Sequence, residues 1–93
     1  MKKNLNNNKK LNTIREFIEM LSFHLEDANT ANDWQVMAAA EDAGFECVFT
    51  KTGFMVKNGK ENFTIRFKNG MEAMELQARV TVFYLDTIKK LAK

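Results

Sequence analysis

The residues of this chain that could do covalent chemistry are few: one histidine, His24, and one cysteine, Cys47. A nucleophilic site needs a nucleophile, a base and a group that orients the base. His24 falls in a segment that reads as helix. Cys47 falls in one that reads as strand, on the same face as Phe45 and Phe49. A thiol set among apolar core residues is neutral and inert, so a Cys–His pair is not expected. One His and one Cys cannot make a soft metal site, and Glu41, Asp42 and Glu46 lack the loop spacing of a calcium hand. Adjacent carboxylates such as Glu26 and Asp27 have around them no apolar pocket of the kind acid–base catalysis uses. Gly44, Gly53, Gly59 and Gly70 stand singly, as turn or cap residues and not as a phosphate-cradling loop. The expectation is a non-enzymatic protein with no cofactor and no metal.

What remains is charge, and it is unevenly placed. Residues 1–12 carry Lys2, Lys3, Lys9 and Lys10 and no acid. From Thr13 to Glu46, Arg15 stands alone against Glu16, Glu19, Glu26, Asp27, Asp33, Glu41, Asp42 and Glu46. Lys51, Lys57, Lys60, Arg66 and Lys68 then face only Glu61 before Gly70. An acidic half therefore precedes a basic stretch, a distribution that bears on partners and not on fold.

The elements that position these charges follow from periodicity. Residues 1–12, basic and Asn-rich, read as a disordered arm, and residues 13–93 as a single domain. Thr13-Ile14-Arg15-Glu16 matches a capping box. Ile14, Phe17, Ile18, Leu21 and Leu25 then form one apolar stripe at helical spacing, ending near Asn29. A second helix begins at Asn32 or Asp33, with Trp34, Met37 and Ala38 on one side, and stops at Gly44 with Phe45 as its apolar contact. Three strands follow, near 45–51, 54–57 and 62–68. A two-residue turn at Asn58-Gly59 sets Phe54 opposite Phe63, and a turn at Thr52-Gly53 sets Phe49 opposite Val56. Both registers collect Phe45, Cys47, Phe49, Phe54, Val56, Phe63, Ile65 and Phe67 on one face. Val48, Met55, Lys57, Thr64, Arg66 and Lys68 share the other. Residues 71–93 lack Gly, Pro and Asn and read as one helix, although "RVTVFYL" (79–85) has strand-like composition. The fold class is α+β, ααβββα: a three-stranded antiparallel meander packed on one face by the C-terminal helix and the N-terminal helix.

In topology the α-β-β-β-α order resembles the double-stranded RNA-binding domain. That family opens its last helix with lysines that clamp phosphates, whereas this chain has Met71-Glu72-Ala73-Met74-Glu75. Residues 54–78 resemble the small β-sheet DNA-binding domains of phage-type integrases, with Asn69-Gly70 and Glu72-Ala73 echoing the turn after the third strand. That resemblance implies a duplex contacted through Lys57, Thr64, Arg66 and Lys68.

The reading favoured from sequence is a small cytoplasmic regulatory protein acting through protein–protein contacts. Glu19, Glu26, Asp27, Glu41 and Asp42 are its candidate contact residues. The absence of proline and the abundance of Asn and Lys suit a phage- or mobile-element-encoded inhibitor of host machinery. The C-terminal helix carries one apolar set at Met74, Ala78, Leu85 and Ile88 and another at Leu76, Val80, Phe83 and Leu91. It has more apolar surface than one sheet can cover, which points to a homodimer. The alternative is a DNA-binding module using the basic sheet face. No apolar run approaches the ~18 residues that cross a bilayer, so no membrane contact is expected. One cysteine suits a reducing compartment.

Overall fold

A computed structural model describes residues 3–60 and 63–91. Along the chain these form α1 (Lys3–His24), α2 (Asp33–Asp42), β1 (Glu46–Phe49), β2 (Gly53–Asn58), β3 (Phe63–Lys68) and α3 (Ala73–Leu91). The strands make one antiparallel sheet in the order β1-β2-β3. The three helices cover one of its faces: α2 packs against β1, α3 against β3, and α1 lies between α2 and α3.

The stripe on α1 is buried as its spacing requires, with Ile14, Phe17, Leu21 and Leu25 inside and Ile18 half-buried. The helix does not begin at Thr13. Backbone from Lys3 onward is helical, and the Thr13 hydroxyl donates to the Lys9 carbonyl at 2.8 Å instead of capping a helix start. No Gly or Pro interrupts residues 3–24. Once the apolar stripe has nucleated a helix, extending it backwards is cheap. Lys10 also lies 5.7 Å from the centre of the Phe63 ring, so the residues read as an arm reach the core. The other end comes earlier than Asn29, at His24.

The chain between α1 and α2 is held to the chain before α3. Ala31 donates to the Met71 carbonyl and Ala73 to the Asn29 carbonyl, each at 2.9 Å, and Thr30 pairs with Glu72. Asn32 then caps α2, its N–H donating to Gln35 Oε1 at 3.2 Å. At the far end Gly44 takes φ 85°. Phe45 N–H reaches the Ala40 carbonyl at 2.7 Å and Gly44 N–H the Glu41 carbonyl at 3.0 Å, the paired bonds of a Schellman cap. The inward side of α2 is Val36, Ala39 and Ala40. Trp34, which helical spacing sets on one side with Met37 and Ala38, is 61% exposed. Small alanines let the helix lie close to its neighbours, and Trp34 lies about a third to half a turn around the helix from them.

Both turn positions differ from expectation, and the difference has one cause. Cys47 pairs with Val56 and Phe49 with Phe54, while Phe54 pairs with Phe67 and Asn58 with Phe63. The first turn is centred on Lys51-Thr52, closed by Thr50 N–H to the Gly53 carbonyl at 2.7 Å. Asn58-Gly59 does not form a two-residue hairpin, because Asn58 belongs to β2 and pairs with Phe63. The expected register would have left Ile65 and Phe67 beyond the end of β2. The observed one pairs all six residues of β3. Both shifts are by an even number of residues, so every side chain keeps its expected face.

The core is one cluster threaded by aromatic contacts. Phe17 stacks on Phe45 at 4.8 Å, Phe45 meets Phe63 at 5.2 Å, and Phe63 meets Phe83 at 5.5 Å. Phe49, at the end of β1, is 49% exposed, and Cys47 only partly buried. Residues 79–85 are helical within α3. Leu76 and Val80 are fully buried, Phe83 packs on the core, and Met74, Leu85 and Ile88 face outward. No helix among the described residues is long and apolar enough to cross a membrane.

Candidate functional site

Three surfaces gather the residues singled out by sequence. The first is the sheet face away from the helices. Strand register arranges it in rows, Glu46–Lys57–Thr64 and then Val48–Met55–Arg66, with Lys68 opposite Gly53. Lys57, Thr64, Arg66 and Lys68 are all exposed on it, while Val48 and Met55 are half-buried. Next to it lies a hollow of about 260 Å³ whose lining includes Thr50, Thr52, Arg66, Lys68 and Arg79. Arg79 comes from α3 and was not anticipated. Its link to β3 depends on how the helix crosses the sheet, which no local pattern encodes.

The second surface is acidic and lies on α1, α2 and their connection. Glu19, Glu26, Asp27, Glu41 and Asp42 are all exposed there. Asp42 is engaged: its Oδ2 lies 2.9 Å from His24 Nε2. Gln35 Nε2 donates to the His24 carbonyl at 3.2 Å, which fixes α2 on the end of α1. Phe23, 69% exposed, packs edge-on against the His24 ring.

Cys47 does not meet His24, whose ring is committed to Asp42. Burial pushes the Cys47 thiol above its ordinary value, and the carboxylates of Asp33 and Glu41 push it the same way. No group of three or more His, Cys, Asp or Glu side chains among the described residues could hold a metal ion.

The third surface is the outer side of α3. Met74 is 83% exposed, Val82 55%, Leu85 51% and Ile88 38%, with Ala78 and Thr81 exposed between them. At 3.6 residues per turn this stripe lies across the helix from Leu76, Val80 and Phe83. Thr81 donates its hydroxyl to the Gln77 carbonyl at 3.0 Å, so its polar hydrogen is satisfied within the helix. A groove of about 570 Å³ borders the stripe, between α3 and β3, with Ala78, Val82 and Phe83 among its apolar lining. The two apolar sets on α3 were legible in the sequence. Which set faces out was not.

In comparisons with known proteins, no family profile, no curated protein and no solved structure matched this chain.

Proposed function

We propose that this chain is a small non-enzymatic binding protein that acts through protein–protein contacts. The observation that carries the reading is the apolar stripe on α3. Large apolar side chains exposed together along one helix mark a contact surface, whereas scattered ones need no explanation. The exposed carboxylates Glu19, Glu26, Asp27 and Glu41 supply a second, acidic surface suited to a basic partner. Proline-free, Asn- and Lys-rich composition fits a regulator carried by a phage or mobile element and working in the cytoplasm.

A second reading is favoured by a different observation. Arg66 and Lys68 share a hollow with Arg79 and two threonine hydroxyls, and Lys57 stands on the same uncovered sheet face. Guanidinium and ammonium groups beside hydroxyls suit the phosphates of a nucleic acid backbone.

The two readings separate in one pair of measurements. Binding of protein partners is compared for the wild type, the stripe variant Val82→Glu/Leu85→Glu and the sheet variant Arg66→Glu/Lys68→Glu. Loss of partner with the stripe variant alone supports the first reading. Micromolar binding to mixed-sequence duplex DNA, falling with salt by a log–log slope of about −0.9 per phosphate contacted and abolished in the sheet variant, makes the second reading the correct one.

A further inference from the structure

We infer that the outer stripe of α3 is the seam of an antiparallel pair with a second copy of this chain. The inference rests on reading that stripe as a protein-contact surface, and it names the occupant. Met74, Ala78, Thr81, Leu85 and Ile88 follow one another at spacings of four, three, four and three residues. That is the seven-residue repeat by which two helices interlock along a seam. Over its length of about 21 Å the stripe is exposed, and its one polar member, Thr81, has turned its hydroxyl back into the helix.

Charge selects both the partner and its direction. Glu75, Val82 and Lys89 lie at seven-residue spacing along one flank of the stripe. An antiparallel copy related by a two-fold axis at Val82 sets Val82 against its equivalent. Glu75 then faces the second copy's Lys89, and Lys89 the second copy's Glu75. The same axis sets Met74 near Ile88 and Ala78 near Leu85, so at the second of these a small side chain leaves room for a large one. A parallel copy would instead set this flank against the opposite flank of its neighbour, where Gln77 and Tyr84 stand, and Glu75 would not meet Lys89. Among the described residues neither Glu75 nor Lys89 is held in an ion pair within its own chain. Both are therefore available to a partner whose pattern is the mirror of their own, and this chain supplies that pattern.

The test is the mass in solution, measured by sedimentation over a concentration series. Wild type is expected to be dimeric, and Val82→Glu/Leu85→Glu monomeric with its thermal transition retained, since both side chains are already half exposed. Glu75→Lys and Lys89→Glu, each on the solvent side, are each expected to raise the dissociation constant roughly tenfold, because each converts two attractions into two repulsions. The double swap Glu75→Lys/Lys89→Glu is expected to restore wild-type affinity. A dimer indifferent to both charge reversals overturns the antiparallel arrangement, and a dimer indifferent to Val82→Glu/Leu85→Glu overturns the seam itself. A wild-type monomer at all concentrations overturns self-association. If that monomer still loses a protein partner in the stripe variant, the contact-surface reading survives and the occupant is another protein. If it does not, both fall.

Discussion

A Cβ placed on Gly53 would overlap the carbonyl oxygen of Phe67 on the neighbouring strand. The glycine is needed for close backbone approach and not for an unusual φ, since the positive values among the described glycines are those of Gly44 and Gly70. This contact explains the register of the sheet. Gly53 enters β2 as its first residue and leaves the turn to Lys51 and Thr52, and Phe54 then lies opposite Phe67.

Gly53→Ala is accordingly expected to destabilise the fold by about 1–3 kcal/mol, the range for forcing an extra carbon into a packed site. Gly44→Ala is expected to cost about 1–2 kcal/mol for a different reason, the left-handed backbone, because nothing lies within 4 Å of its added Cβ. Replacing Gly44 by Asn should recover part of that loss and replacing Gly53 by Asn should not. Denaturant unfolding of the four variants distinguishes the two mechanisms.

Trp34 is the single tryptophan and therefore a clean optical probe. Its 61% exposure predicts the emission of a solvated indole, quenched freely by acrylamide in the native state. Trp34→Ala should change stability by no more than about 0.5 kcal/mol, as surface substitutions do. Phe17→Ala, which removes a ring with no exposed surface and its stack on Phe45, should cost about 3–5 kcal/mol. A blue-shifted, protected indole would mean that α2 is rotated from the orientation described above.

Cys47 links stability to pH in a defined direction. Its folded thiol titrates above the unfolded one, first because burial disfavours the thiolate and then because Asp33 and Glu41 repel it. The stabilising contribution is therefore complete below the ordinary thiol pKa and lost as pH rises through the raised value, since the unfolded chain ionises first. Alkylation at neutral pH should be slower than for a free thiol. Asp33→Asn and Glu41→Gln should each accelerate it by a smaller factor than unfolding does. Stability measured between neutral and alkaline pH should fall less steeply in Cys47→Ala than in the wild type. Rapid alkylation of the native wild type would contradict the placement of Cys47 against α2.

What local sequence determined here is what local physics controls. A stripe at Ile14, Phe17, Leu21 and Leu25 fits only a helix with one buried side. Gly44 after a run of alanines ends α2, because only glycine enters the left-handed region cheaply. Alternation in "FTIRF" assigns Phe63, Ile65 and Phe67 to one face of a strand whatever its partner, so Thr64, Arg66 and Lys68 were legible on the other face before any register was known, and Lys57 joins them through its pairing with Thr64. Tertiary structure decided the rest. Register depended on how much of β3 could pair and on whether a backbone could pass close to Gly53, neither of which is a property of a short segment. His24 found Asp42, 18 residues away, because α2 folds back on α1. Arg79 joined Arg66 and Lys68 because α3 crosses beside β3. The two apolar sides of α3 are near equals in sequence. Only the packing of α1 and the sheet, with room for one of them, turned Leu76, Val80 and Phe83 inward and left Met74, Val82, Leu85 and Ile88 in water.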